Sequence, residues 1–307
     1  MDEERYIGVI NNIQKMSMND GPGYRTVVFF KGCYLNCEWC HNPEGKRRYP
    51  EVIPYVSNCI GCRKCLDVCP TGALSLIEEK KPHIDLGLCS TCLQCVKICK
   101  DDALICWGKI VTVEEVMAEV EEDRVFYKNS GGGMTISGGE PMAQPEFAYA
   151  LMKTARNREI HTALDTCGHA PWEDFERVLE FTDIVLFDIK VIDPQIHHDY
   201  SGVGNELIHD NVKRISNMNI DMRIRVPIIP GRNDSEEELL KIAKFIEELG
   251  PSVKGVDLLP YHPYAGAKYK AFGFDYPFPA GEGIQDDPLR PIVEMFLDHV
   301  EEVTVGG

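Results

Sequence analysis

Three cysteines lie within the nine residues CYLNCEWCH, which run from Cys33 to His41. Cys33, Cys37 and Cys40 have C-x3-C-x2-C spacing and follow the apolar run Thr26–Phe30, so a tight loop after a strand is predicted. Three thiolates in one loop can hold three irons of a [4Fe–4S] cube and leave the fourth iron open to a ligand, much as a catalytic zinc keeps one position open. A zinc loop and three buried thiols are the alternative interpretations.

This loop, with Trp39 as the aromatic residue before the third cysteine, resembles the cluster loop of the radical S-adenosylmethionine (SAM) enzymes. The resemblance implies that the open iron binds the amino and carboxylate groups of the methionine part of SAM. One electron then splits SAM into methionine and a 5′-deoxyadenosyl radical. Cys33, Cys37 and Cys40 are therefore the expected catalytic cluster ligands, and Trp39 is an expected SAM contact.

Composition restricts the class of protein. The chain has 307 residues, 44% of them hydrophobic, enough for one large α/β domain and a small one. No apolar run has membrane-spanning length, and the acidic segment Met1–Tyr6 is unlike a signal peptide, so a soluble, cytoplasmic protein is expected.

A net charge of −17 argues against nucleic-acid binding. The basic segment Lys46–Arg48 reads either as a solvated loop or as a contact for an acidic electron carrier.

Eight further cysteines form two runs with C-x2-C-x2-C-x3-C spacing, the pattern of bacterial two-cluster ferredoxins. In such ferredoxins the fourth cysteine of each run ligates the other cluster. We therefore expect one [4Fe–4S] cube on Cys59, Cys62, Cys65 and Cys99, and a second on Cys69, Cys89, Cys92 and Cys95. Eleven of the thirteen cysteines thus lie in ligand runs rather than in a disulfide framework, which leaves Cys106 and Cys167 as buried free thiols.

Each ferredoxin-like run is followed by a short predicted strand, within Gly72–Leu76 and Asp102–Cys106. The unit is an internal duplication of about 30 residues. We place this insert at residues 51–106, and the remainder of the fold at residues 1–50 and 107–307.

Outside the insert, strand and helix patterns alternate. The predicted strands are Arg25–Phe30, Met134–Ser137, His161–Asp165, Asp183–Asp188, Asp221–Pro227 and Val256–Leu259. The predicted helices are Val113–Glu122, Glu146–Arg156, Trp172–Phe181, Glu206–Met218, Glu236–Leu249 and Leu289–Val300. This alternation indicates an α/β fold with parallel strands and right-handed crossovers. The resemblance implies a partial (β/α)6 TIM-like barrel of the radical SAM type, open on one side.

Polar motifs follow these strands, where functional residues of β/α barrels collect. Gly138-Gly139-Glu140-Pro141 resembles the G-G-E-P motif that contacts the SAM amino group; a tight turn is the alternative. Two further motifs resemble the D-T and D-x-K elements of pyruvate formate-lyase activating enzyme. They imply a monovalent-cation site on Asp165, Thr166 and Asp188, with Lys190 near SAM.

Two more SAM contacts are implied by the same family. Arg225 is placed near the SAM carboxylate, with Arg223 as the competing candidate, and His262 near the adenosine. An arginine fork suits a carboxylate.

The motif Asp20-Gly-Pro-Gly23, the cluster loop and the ferredoxin-like insert together resemble glycyl radical enzyme activating enzymes. The resemblance implies three [4Fe–4S] clusters, SAM and a protein partner that loses hydrogen from one glycine. It further implies a low-potential flavodoxin or ferredoxin as electron donor, and a monomer. A radical SAM enzyme acting on another protein residue or a small molecule is one alternative, and a plain iron–sulfur electron carrier is another.

Overall fold

The computed structural model describes residues 6–272, 274–278 and 289–306. The strands are β1 (Ile7–Ser17), β2 (Arg25–Phe30), β3 (Glu51–Pro54), β4 (Leu74–Leu76), β5 (Pro82–Ile84), β6 (Leu104–Trp107), β7 (Lys109–Thr112), β8 (Gly133–Gly138), β9 (His161–Thr166), β10 (Ile184–Asp188), β11 (Asp221–Ile228), β12 (Val253–Pro260) and β13 (Val303–Val305). The helices are α1 (Lys64–Asp67), α2 (Gln94–Ile98), α3 (Val113–Glu121), α4 (Arg124–Ser130), α5 (Pro145–Asn157), α6 (Trp172–Leu179), α7 (Pro194–Ser201), α8 (Glu206–Ser216), α9 (Glu236–Glu248), α10 (Gly266–Phe272) and α11 (Arg290–Leu297). In this described part of the chain, no helix is both long and apolar enough to cross a bilayer.

One nine-stranded sheet of described strands runs in the order β13-β12-β11-β10-β9-β8-β2-β1-β7. The six predicted strands are its parallel centre, from β2 to β12 in chain order. Beyond the prediction, β13 adds a parallel strand at one edge, and β1 and β7 add antiparallel strands at the other. The predicted helices all form, with ends shifted by a few residues. The α/β class with a central parallel sheet is therefore confirmed, with three more strands than the sequence suggested.

Alternation along the central strands separates two faces. In β11, Met222, Ile224 and Val226 are buried in the main hydrophobic core, together with residues of the flanking helices. The residues between them, Arg223 and Arg225, point to the opposite face, because successive side chains of a strand alternate. One face of the sheet therefore packs on helices, and the other carries the polar side chains.

The predicted start of α3 is confirmed in detail. Thr112 accepts a hydrogen bond from the backbone N–H of Glu115, and the Glu115 carboxylate accepts one from the backbone N–H of Thr112. This capping box satisfies two backbone donors that a helix start leaves free. It sets the point at which the chain re-enters the main fold after the insert.

The insert folds as two short antiparallel pairs, β3 with β6 and β4 with β5, beside α1 and α2. It has a hydrophobic cluster of its own, made by Val52, Leu74, Ile84, Cys95 and Leu104. An ion pair links it to the main sheet: Lys31, just after β2, places its Nζ 2.7 Å from the Glu51 carboxylate at the start of β3. Both side chains are almost fully buried, so this contact lies inside the junction rather than on the surface.

Candidate functional site

A cavity of about 440 Å³ opens where the central parallel strands end. Among the predicted site residues, those that line it are Cys33, Cys37, Trp39, Cys40, Gly138, Gly139, Asp165, Thr166, Asp188, Lys190, Arg225 and His262. The carboxyl ends of parallel strands meet at one edge of a sheet, which explains why residues so far apart in sequence converge. Glu140 is the one predicted residue of this site that does not line the cavity.

Backbone hydrogen bonds hold the cysteine loop from two sides. The N–H of Cys33 donates to the carbonyl of Lys46 at 3.2 Å. On the other side, the N–H groups of Asn36 and Glu38 donate to the carbonyls of Ser201 and Tyr200, at 2.7 and 3.0 Å. The three thiols therefore start from a loop that is fixed before any ligand binds.

The thiols of this loop suit a metal. Burial raises the pKa of Cys37 to about 12 and also raises that of Cys40. The pKa of Cys33 is lowered instead, by a hydrogen bond from the Cys167 thiol, and a bound metal would supply the positive charge that stabilises all three thiolates. Three cysteines in one fixed loop, with a cavity beside them, fit a site-open iron–sulfur cluster.

The two glycines of the G-G-E-P turn allow this turn to approach the cysteine loop. A Cβ on Gly139 would lie 2.3 Å from the Gly32 carbonyl oxygen and 2.5 Å from that of Gly45. Gly138 has φ +112°, a conformation that side chains rarely adopt. The turn is then joined to the residue before Cys33, since the N–H of Glu140 donates to the Gly32 carbonyl at 2.7 Å.

The Glu140 side chain points away from the cavity. Its Oε1 accepts hydrogen bonds from the N–H of Met142 and the hydroxyl of Thr166, and its Oε2 accepts one from the N–H of Cys167 at 2.7 Å. The side chain is fully buried, and burial raises its pKa. Glu140 thus ties the end of β8 to the end of β9, and its contact with SAM stays a prediction.

Two ion pairs occupy the polar wall of the cavity. Arg225 donates to the Asp165 carboxylate at 3.2 Å, and Lys190 donates to that of Asp188 at 2.5 Å. Burial raises the pKa of Asp165 to about 6, although Arg225 opposes this shift. Burial alone would lower the pKa of Lys190, but the Asp188 carboxylate and the nearby thiols outweigh it, and the pKa is raised.

Asp165, Thr166 and Asp188, the predicted cation ligands, do line one cavity, but Arg225 and Lys190 already neutralise the two carboxylates. In the described part of the chain, no three Cys, His, Asp or Glu side chains are arranged around a single metal ion. The Nε of Arg225 is buried without a hydrogen-bond partner, so this guanidinium still has a donor to offer a ligand. Arg223, the competing arginine, pairs with Asp257 and Glu302 and does not line the cavity.

Among the cavity residues that the sequence did not assign as ligand contacts, Asp20 and His41 carry ionisable side chains. Asp20, named from the sequence only as part of the D-G-P-G motif, places a carboxylate oxygen 3.9 Å from a guanidinium nitrogen of Arg225. His41 stacks on His262 with ring centroids 3.8 Å apart. The nitrogens His41 Nε2 and His262 Nδ1 are buried without partners in the described structure. The D-G-P-G motif and the position next to Cys40 were the available signals.

The insert cysteines group as the crossed ferredoxin pattern predicts. One small cavity is lined by Cys59, Cys62, Cys65 and Cys99, and a second by Cys69, Cys89, Cys92 and Cys95. Of the remaining cysteines, Cys106 is half-buried, and its thiol donates to the Gly108 carbonyl at 3.6 Å. Cys167 is buried and lines the main cavity beside the cysteine loop, so it is not remote from the site.

Two family models match parts of the chain, and their ranges overlap at residues 91–103. The radical SAM superfamily model matches residues 91–243, and the 4Fe-4S dicluster domain model matches residues 58–103. Among solved structures, Streptococcus suis SuiB bound to its precursor peptide SuiA has a TM-score of 0.52 at 12% identity, covering 89% of this chain and 46% of that one. At that identity the likeness concerns the fold alone.

Curated relatives share most of their length with this chain. It is 45% identical to the isethionate sulfite-lyase activating enzyme of Nitratidesulfovibrio vulgaris, covering 87% of this chain and 88% of that protein. It is 39% identical to the choline trimethylamine-lyase activating enzyme of Oleidesulfovibrio alaskensis, covering 92% and 93%. The cluster loop, the dicluster insert and this similarity over nearly the whole length together show that the chain belongs to the radical SAM family of glycyl radical enzyme activating enzymes.

Proposed function

We propose that this chain uses SAM at the cavity to take a hydrogen atom from a glycine α-carbon of a partner glycyl radical enzyme. The observation that carries the proposal is the meeting of Cys33, Cys37 and Cys40 with polar strand-end residues around one cavity. When bound, a [4Fe–4S] cluster and SAM supply the one-electron chemistry that yields a 5′-deoxyadenosyl radical.

Different residues around the cavity contact different parts of SAM in this proposal. Arg225, with its free Nε, and Lys190 present positive charge to the methionine carboxylate. The backbone of Gly138 and Gly139 lines the cavity beside the loop, where its polar groups can meet the ligand. His262 offers an unpartnered nitrogen to the adenosine, and Trp39 lines the same cavity.

Cation binding would require the two ion pairs to rearrange. A SAM carboxylate that attracts Arg225 and Lys190 would release Asp165 and Asp188 from them. Both carboxylates and the Thr166 hydroxyl would then be available as oxygen ligands for a monovalent cation. This sequence of contacts supports SAM binding before cation binding.

The remaining parts of the proposal concern the whole chain. In this proposal the insert, residues 51–106, holds two further [4Fe–4S] clusters. With the cluster of the cysteine loop this makes about twelve irons per chain. The main sheet, which has two edge strands, is the sheet of the partial (β/α)6 barrel. A low-potential flavodoxin or ferredoxin delivers the electron. We further propose a monomer that works in the cytoplasm.

The test uses the anaerobically reconstituted chain with SAM, dithionite and an isethionate sulfite-lyase, since relatives at 45% and 43% identity activate that enzyme. We expect 5′-deoxyadenosine and a glycine-centred doublet in electron paramagnetic resonance. Cys37→Ala should give neither, because it removes a cluster ligand. Cys106→Ala, outside the three ligand runs, should behave as wild type. A partner radical formed by Cys37→Ala would overturn the proposal, and SAM cleavage without a glycyl radical on any tested partner would favour a different substrate.

A further inference from the structure

The duplication in the insert makes its two cysteine sites directly comparable. The first run reads Cys62-Arg63-Lys64-Cys65, where the second has Cys92-Leu-Gln-Cys95. The two positions are equivalent in structure: Arg63 has φ +62° at the start of α1, and Leu93 has φ +59° at the start of α2. The same backbone therefore presents two cations at one site and none at the other.

Arg63 and Lys64 are available for an external partner. Both side chains are exposed, and within the described residues neither forms an ion pair or a side-chain hydrogen bond. They line the cavity of Cys59, Cys62, Cys65 and Cys99, whose one acidic lining residue is Asp101.

Apolar surface accompanies these charges. Ile60 lines the same cavity and is 60% exposed, and Cys62 is exposed as well. The exposed Lys80 lies next to Gly61, where an added Cβ would be 3.2 Å from the Lys80 Cγ. We call this surface, formed by Ile60, Cys62, Arg63, Lys64 and Lys80, the basic face.

The basic face stands out against the charge of the whole chain. Residues 51–106 contain six Lys or Arg and seven Asp or Glu, a net charge of −1, whereas the complete chain carries −17. The insert therefore carries little of the chain's negative charge, and Arg63, Lys64 and Lys80 supply three of its six cations, with Glu79 and Asp101 as the acidic residues beside them. Charge complementarity with an acidic partner raises association rates and is screened by salt.

The two insert sites also differ in their distance from the junction with the main sheet. The site of Cys69, Cys89, Cys92 and Cys95, here the Cys69 site, is lined by Val52. Val52 follows Glu51, whose carboxylate pairs with Lys31 at the junction. The Cys59 site is instead lined by Leu104, which lies opposite Pro54, two residues farther along β3. Two strand residues correspond to about 7 Å. The basic face thus belongs to the site farther from the junction.

We propose that the basic face is the docking surface for a small acidic electron-carrier protein. This rests on the proposed function, which needs a one-electron donor. An exposed apolar residue on the same face as three cations fits the usual anatomy of a transient interface, in which charges steer the encounter. Cys59, Cys62, Cys65 and Cys99 would hold the iron–sulfur group that accepts the electron: that group would be reduced by one electron, the carrier would be oxidised by one electron, and no proton would have to move.

The test exchanges residues between the two cysteine runs at the two positions where the cations of the first run are absent from the second. Arg63→Leu with Lys64→Gln gives the first run the residues of the second. A combined variant adds Leu93→Arg with Gln94→Lys, which moves the two cations to the other site and keeps the net charge at −17. The reconstituted holoenzyme, without SAM, is mixed anaerobically with a reduced acidic ferredoxin, and the oxidation of the ferredoxin is followed by stopped-flow absorbance.

At low ionic strength the first variant should associate about tenfold more slowly than wild type, and the difference should shrink as salt is raised. The combined variant should stay slow, because the position of the charge matters rather than its total. An unchanged rate in the first variant, or recovery of the rate in the combined variant, would overturn the proposal. Lys80→Glu changes the basic face outside the cysteine run of the first insert site. A slower rate in this variant supports the proposal even if Arg63→Leu with Lys64→Gln loses iron.

Two further measurements separate this proposal from neighbouring ones. With dithionite as reductant, all variants should cleave SAM as wild type does; failure of the wild type itself would reject the proposed function rather than the docking surface. Binding of isethionate sulfite-lyase should not change in the first variant. If that binding is lost while ferredoxin oxidation is unchanged, the basic face contacts the protein substrate, and the carrier proposal is wrong.

Discussion

The carboxylate of Glu140 is the clearest example of a residue whose role depends on its neighbours. All its observed partners are groups of the protein, the N–H of Met142, the hydroxyl of Thr166 and the N–H of Cys167. Because a buried acceptor that satisfies three donors is costly to lose, we regard Glu140 as a positioning residue for the end of β9. Thr166 and Cys167 then reach the cavity wall through it.

Replacement of Glu140 by Gln should therefore destabilise the fold. The amide can keep the bonds at Oε1, but its NH₂ group would face the N–H of Cys167 without an acceptor. We expect a loss of about 1–3 kcal/mol in the free energy of unfolding. Chemical denaturation, together with SAM titration, measures both effects. Ser137→Ala, which removes a bond to Asp165 at the cavity, is the matched control for SAM binding. Weaker SAM binding by Glu140→Gln at unchanged stability would show that Glu140 contacts SAM directly.

At the scale of elements, the turn after β8 and the loop after β2 form one unit. Gly139 lies so close to Gly32 and Gly45 that their carbonyl oxygens occupy the space of a side chain. The N–H of Gly139 donates to the Phe30 carbonyl at 2.9 Å, which joins the turn to the end of β2. Movement of the turn would therefore move the cysteine loop.

We expect Gly139→Ala to displace the cysteine loop while the insert stays folded. Its added Cβ would meet backbone oxygens at 2.3 and 2.5 Å, which cannot rotate away. If the reconstituted wild type holds the proposed three clusters, about twelve irons, this variant should hold about four fewer, those of the cysteine loop. Iron analysis and absorbance of the clusters measure this. Gly266→Ala is the control, since Gly266 has a helical φ of −55° and a Cβ there would meet Tyr276 only at 3.5 Å. Full iron content in Gly139→Ala would contradict the close-approach argument.

At the scale of the whole molecule, one buried ion pair connects the main sheet to the insert. Lys31 follows β2 and precedes Cys33 by two residues, and Glu51 begins β3. The Lys31 Nζ also donates to the Glu44 carbonyl at 2.6 Å. A movement of the insert would therefore be transmitted to the cysteine loop through the almost fully buried ion pair of Lys31 and Glu51.

Lys31→Met should leave the Glu51 carboxylate buried with only Arg47 beside it. Removal of one partner from a buried pair costs about 3–5 kcal/mol, and Arg47 places this case near the lower end. Lys31→Met with Glu51→Leu should recover much of the loss, because no uncompensated charge remains. Urea unfolding measures stability, and limited proteolysis reports on the junction. The exposed pair of Lys241 and Glu237 supplies the control, and Lys241→Ala should have no measurable effect. A single variant as stable as wild type would mean that water already reaches the junction.

The sequence alone was enough to predict the cysteine runs, the central strands and twelve of the twenty-five residues that line the cavity. These features depend on short-range signals: cysteine spacing, apolar periodicity and polar residues where strands end. The edge strands were missed for a physical reason. β1 contains Asn11, Asn12 and Lys15, which give no strand signal, and it forms because β2 and β7 pair with it on both sides.

The pairing of the polar side chains depends on the tertiary structure and could not be predicted from local sequence. Arg225 and Asp165 are 60 residues apart, and Asp20 reaches the same guanidinium from the far end of the chain. Whether Glu140 faces a ligand or the protein likewise depends on Thr166 and Cys167. Local patterns name the groups that can ionise or donate, but a buried charge takes the partner that folding brings within hydrogen-bond distance, because an unpaired one is too costly to bury.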